Sequence, residues 1–297
     1  MNVLRRFRNP VLMNELKLRM RTKRSPWIIT LYLLVLGTVA LTFVFLMTGA
    51  GSYYNPNQTR ELFMMLSLMQ LAMICFVVPG LTAGVISGER ERQTLSILLT
   101  TNVSATKLVL GKWLASLSFM SFLVFATIPL YAIIFLYGGV SPVQLLQVFA
   151  FYVVTMLGLG SVGVLLSTLI KRTGIATVLS YALVFGYGVG TSVLAEVIRE
   201  IIRFQRNANN ITGTPFPVWP DFFHSLNPLF AMLSIFEEGP FRGLRRMVSN
   251  KYAALALEPY VIYCLFFAVV TIICLALSIY LIKPVKPRWR RKAAAKE

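Results

Sequence analysis

The sequence is short of the groups that do chemistry in water. It holds one histidine, three cysteines and eleven acidic residues, and only 13% of its 297 residues are charged. A soluble domain carries about 25% charged residues, so a soluble enzyme is the first class to be excluded. The lone His224 has no companions at metal-ligand spacing, and no nucleophile is paired with a base. Cys75, Cys264 and Cys274 each sit inside an apolar run, whereas a disulfide framework needs paired, loop-borne cysteines. Cys264 and Cys274 are about 15 Å apart along one predicted helix, too far to bridge. All three read as packing residues. A phosphate-binding loop is missing as well: the Gly111-Lys112 pair has Thr106 where the first glycine belongs and Trp113 where Ser or Thr belongs. If this chain moves anything uphill, the energy has to enter through another polypeptide.

What is abundant is apolar sequence. Hydrophobic residues make up 57% of the chain, and the mean hydropathy is +0.70. They come in long uninterrupted runs rather than stripes, the pattern of helices surrounded by lipid or by other apolar helices. The expected fold is all-α and membrane-integral, with six transmembrane helices at about 26–48, 62–86, 108–137, 142–170, 174–197 and 258–282. The first run, about 22 residues long, exceeds the apolar core of a cleaved signal peptide. Gly138-Gly139-Val140-Ser141-Pro142 predicts a tight uncharged hairpin between the third and fourth spans, and Pro79 and Pro129 are candidate kinks.

The net charge of +18 raises the question of nucleic acid, but the distribution answers it. Lys and Arg crowd into residues 1–25 and the tail 283–297, and no basic fold with interleaved aromatics accompanies them. In a membrane protein this is the positive-inside signal, placing both termini in the cytoplasm of a cell whose inner membrane holds the bundle. Residues 1–25 predict an interfacial amphipathic helix: Asn9-Pro10 starts it, Leu12, Met13, Leu16 and Met20 share a face, and Glu15 and Arg19 stand at i,i+4. The segment 198–255 is expected as a long outer loop. Within it, Leu226–Phe236 is too short to cross, and reads as a re-entrant or interfacial helix begun at Asn227-Pro228. No span carries an acid near its centre, which argues against a proton-driven carrier.

The stretch between the second and third spans carries the most information. Ser87 is placed to cap a helix over 88–101, and Glu89 and Glu91 sit in its first turn, where the helix dipole favours negative charge. Leu95, Leu98 and Leu99 then form an i, i+3, i+4 patch. A charged start followed by an apolar patch suits docking of a soluble subunit; a surface helix lying on the membrane has the same pattern. Small residues at four-residue spacing, Gly80, Gly84 and Gly88 in the second span and Gly186 and Gly190 in the fifth, suit close helix packing within the chain or between chains.

The run Ile86-Ser87-Gly88-Glu89-Arg90-Glu91-Arg92-Gln93-Thr94-Leu95, with Leu98-Leu99-Thr100-Thr101 and Leu110-Gly111-Lys112 after it, resembles the signature of type 2 ABC exporter permeases. The opening Asn9-Pro10-Val11-Leu12-Met13-Asn14-Glu15-Leu16 is similar to their amphipathic N-terminal helix. The likeness is nearest to the branch named for multi-copper-enzyme maturation and antibiotic-type export. It is strongest over 80–115 and only architectural beyond 175; Asn102 stands where the family often has proline. The resemblance implies a six-helix half-transporter that pairs with a second permease, identical or paralogous, and recruits cytoplasmic ABC ATPase subunits. ATP would then act through the partner, with no cofactor bound directly. Residues 88–101 would be the coupling helix, contacting the ATPase through Glu89, Arg90, Glu91, Arg92, Thr94, Leu95, Leu98 and Leu99, with Glu89 the most typical. Glu15, Leu16 and Arg19 would touch the same ATPase, and substrate would pass between the halves along spans one, two and five. The competing classes are a secondary carrier and a non-transporting membrane anchor or immunity protein. A substrate is not legible.

Overall fold

The computed structural model describes residues 25–48, 56–95, 104–136, 138–209, 219–236 and 258–282. Among them every regular element is helical and no strand occurs. The helices are α1 (Ser25–Thr48), α2 (Pro56–Thr82), α3 (Ser87–Glu91), α4 (Ala105–Ala126), α5 (Ile128–Leu136), α6 (Pro142–Leu169), α7 (Thr173–Ala208), α8 (Trp219–Leu226), α9 (Pro228–Ile235) and α10 (Pro259–Ile282). Five stretches are long and apolar enough to cross a membrane: Thr59–Glu91, Ala105–Leu136, Pro142–Leu169, Thr173–Ala208 and Pro259–Ile282. Within α1 the apolar stretch is shorter, Ile29–Thr42. The N-terminal helix expected over 1–25, with Glu15, Leu16 and Arg19, and the basic tail 283–297 lie outside the described residues, save for Ser25, where α1 begins.

Local chemistry sets the breaks between helices. The span expected at 108–137 is two helices meeting at Thr127, because Pro129 has no N–H to offer the turn before it. Thr127 Oγ1 donates to Val124 O at 2.7 Å and holds the bend. Gly138 and Gly139 follow with φ of 83° and 85°, a left-handed pair that a side chain would strain. Ser141 then starts α6 with a capping box, accepting from the first turn while Gln144 accepts from its backbone, and Pro142 occupies the first turn.

At the centre of the bundle, α6 packs against α2, α4, α7 and α10. Three glycines allow this approach. A Cβ on Gly158 would collide with the Phe267 ring, one on Gly163 with the Thr82 side chain, and one on Gly160 would stand 2.7 Å from Leu117. Some of the polar groups buried here find partners across helices. Tyr152 Oη lies 3.1 Å from Tyr131 Oη and donates to Ser67 O at 2.9 Å, and Thr155 Oγ1 is 3.2 Å from Tyr263 Oη. Bonds of this kind tie spans together where no water competes.

The helix that holds the span expected over about 174–197 continues to Ala208. At 36 residues it is about 54 Å long, against a hydrocarbon core of about 30 Å. Its far third is charged, and Arg199 pairs with Glu196 one turn earlier. The segment expected as a loop is thus partly helical. Beyond α7 lie α8 and α9, and Asn227 caps α9 by accepting from Leu229 N at 2.9 Å. His224 is buried in α8 with its ring edge-on to Phe230. Burial, joined by the Arg199 charge, holds its imidazole below the usual value against the opposing pull of Glu196. It reads as a structural residue.

Candidate functional site

At the end of the bundle opposite Asn227, α2 stops at Thr82 and the chain turns through 83–86 into the five-residue α3. A helix start leaves backbone N–H groups without partners, and the expected remedy, the Ser87 side chain, is not the one used. Ser87 Oγ instead donates to Ala83 O at 3.1 Å. The amides of Ile86 and Ser87 both donate to Ser167 Oγ, on α6, at 2.9 Å. A small polar residue on the central helix thereby caps the connection from outside it.

The next three charged residues each reach a different helix. Glu89 Oε1 accepts from Lys112 Nζ, on α4, at 2.9 Å, and the pair is largely shielded, with side chains 25% and 6% exposed. Thr94 Oγ1 also donates to the Glu89 carboxylate and sits 3.2 Å from Glu89 O. Arg90 Nη1 donates to Thr168 O at 3.1 Å, supplying one of the carbonyls left open at the end of α6. Glu91 accepts twice from Thr173, from the amide at 2.8 Å and from Oγ1 at 2.7 Å. Thr173 is the first residue of α7, whose N-cap, Arg172, makes no side-chain cap bond. The Glu91 carboxylate therefore both fills a cap and sets negative charge at the positive end of the longest helix. Three neighbouring side chains brace α4, α6 and α7 against one short turn.

After Glu91 the helix stops. Arg92 N donates to Gly88 O, Gln93 N donates to Arg90 O, and Gln93 takes φ 58°. A non-glycine residue in this left-handed position ends a helix at some cost. The continuous helix expected over 88–101 is accordingly broken at Gln93; Thr94 and Leu95 are again helical, and 96–103, with Leu98 and Leu99, lie outside the described residues. Arg92 is exposed, and Leu95 is half-buried against the core.

The glycines divide into two groups. A Cβ on Gly80 would stand 2.6 Å from Tyr181 Oη, one on Gly84 would stand 3.0 Å from Thr173 Cγ2, and one on Gly88 would stand 3.8 Å from Thr173 Oγ1. This stripe receives α7 within the chain. By contrast Gly186 and Gly190 have nothing within 4 Å of that position among the described residues. Lys112, Ser167, Thr168 and Thr173 complete the site but escape sequence reasoning. Lys112 left one signal, a lysine deep in an otherwise apolar run, which needs an acid nearby.

Among the described residues no group of three or more His, Cys, Asp and Glu could hold a metal ion. A comparison with curated proteins finds no match. A family model described as ABC-2 family transporter protein matches residues 10–283.

Proposed function

Because this chain belongs to the ABC-2 transporter family, and is thus a multi-pass permease subunit of an ABC transporter, we propose that a separate cytoplasmic ATPase drives it by pushing on residues 88–101. The reading rests on one observation: Glu89, Arg90 and Glu91 hold three different helices from one short turn whose end is exposed. Force applied to that turn is distributed to the bundle at once, which is what a permease without its own nucleotide site requires. The crowding of Lys and Arg into 1–25 and 283–297 supports placing both termini, and with them this turn, on the cytoplasmic side of the plasma membrane. Export is the direction the sequence signature favours. A second permease subunit completes the pathway, and the open face of α7 at Gly186 and Gly190 is suited to receive it.

The test avoids the brace itself, because removing Glu89 alone strands Lys112. Arg92→Glu with Gln93→Glu changes only the exposed end of the turn. The permease should insert at wild-type levels, while co-purification of an ATPase subunit falls at least tenfold and ATP hydrolysis by the complex falls with it. Unchanged assembly and hydrolysis in this double variant would overturn the docking reading. Absence of any ATPase from the purified wild-type complex would overturn the energy source as well.

A further inference from the structure

The five crossing stretches are not held equally. In their most apolar 18-residue windows, 61% of α6 is buried and 17% of α7. α7 packs on α2, α6 and α8, with Glu196 3.3 Å from His224 of α8, and its directional hydrogen bonds to the bundle gather at two places. One is its first residue, where Glu91 accepts both donors of Thr173. The other is about 22 Å along the helix, where Asn227 Nδ2 donates to Gly188 O at 2.6 Å and lies 2.8 Å from Thr191 Oγ1 and 2.9 Å from Ser192 Oγ. Tyr187 Oη donates to Leu226 O in the same place. Asn227 is itself fixed, because its Oδ1 caps α9, and α9 packs on α10. Past this point α7 runs on for about 30 Å to Ala208.

We propose that α7 is a lever: the turn carrying Glu91 moves its near end through Thr173, Asn227 is the fulcrum, and the charged far arm swings on the opposite side of the membrane. This rests on the reading that an ATPase pushes on 88–101, and it assigns Glu91 a positioning role rather than a contact with that ATPase. The covalent link between α6 and α7 permits the motion, since Ile170 and Arg172, at its two ends, are extended rather than helical. For a stiff helix the arm ratio makes the far end travel about 1.3 times as far as the near end, in the opposite direction. Glu91 is suited to the task because its two bonds are directional and lie at the very start of the helix, where the arm is longest. No change of covalent structure is involved.

The experiment uses the full-length permease with its co-purified ATPase, the three native cysteines replaced by serine or alanine, and Phe204→Cys as a reporter on the exposed far arm. A water-soluble maleimide reads its reactivity with and without ATP and vanadate. In the otherwise native chain, ATP should change the labelling rate at least threefold. With Glu91→Ala the ATPase should still co-purify and hydrolyse ATP, but the change in labelling should vanish. Thr173→Val should reduce it, and Thr173→Ser, which keeps both donors, should restore it. An ATP-dependent change that persists in Glu91→Ala overturns the lever. Loss of ATPase co-purification in Glu91→Ala makes Glu91 a docking residue and also overturns it. If wild type brings down no ATPase, the failure belongs to the proposed function instead.

Discussion

Two successive crossing stretches, α6 and α7, are joined by three residues and look alike in sequence: long, apolar and set with small residues. Their surroundings separate them. Every glycine of α6 meets a side chain of another helix at contact distance or closer, whereas Gly186 and Gly190 of α7 meet nothing among the described residues. One helix is the scaffold and the other is strapped to it. Glycine at four-residue spacing therefore does not by itself announce a packed interface; what matters is whether a bulky partner such as Phe267 or Leu117 is delivered opposite.

The sharpest way to break this comparison is to fill one glycine in each helix. Gly163→Leu has to displace Thr82 and press toward the Ala83 backbone, and should destabilise the fold by about 3 kcal/mol, the upper part of the overpacking range. Gly186→Leu should leave thermal unfolding of the isolated subunit in detergent unchanged. Equal losses from the two would erase the distinction. A smaller effect is expected at the joint between them. Lys112→Met alone leaves Glu89 unpaired and should cost about 2 kcal/mol, less than for a fully buried pair because Glu89 keeps some exposure. Adding Glu89→Gln should recover most of it, and a double-mutant cycle on unfolding temperatures checks the coupling. The mildest is at the fulcrum. Asn227→Ala removes the α9 cap and the bonds to α7, at about 1 kcal/mol. Hydrogen exchange should then rise along α7 around 187–192 while α6 stays protected.

How far could these differences be seen in advance? The apolar runs gave the helical class, because a span must be long and uncharged whatever it packs on. The charged turn at 88–92 was legible for the same reason, standing out against apolar sequence. Its wiring was not. Glu91 reads locally as an acid in the first turn of its own helix, yet it serves the start of α7, a residue distant by 82 positions. Ser87 has the composition of a cap, but Ser167 performs that role from another helix. Hydropathy also gave no sign of where α7 ends as a helix. Charge marks where a helix leaves lipid, not where it stops, and the Glu196–Arg199 pair lets the turn continue into water.

The adjacency of Glu89, Arg90 and Glu91 has an evolutionary and engineering consequence. Their three targets are reached only because each side chain departs from the axis about 100° after the one before it. Inserting or deleting one residue between Ser87 and Glu89 would rotate the whole set and aim every one of them at the wrong neighbour. Spacing in this turn should therefore tolerate far less variation than its letters do, and a homologue with a shifted count there would have to be wired to different helices altogether.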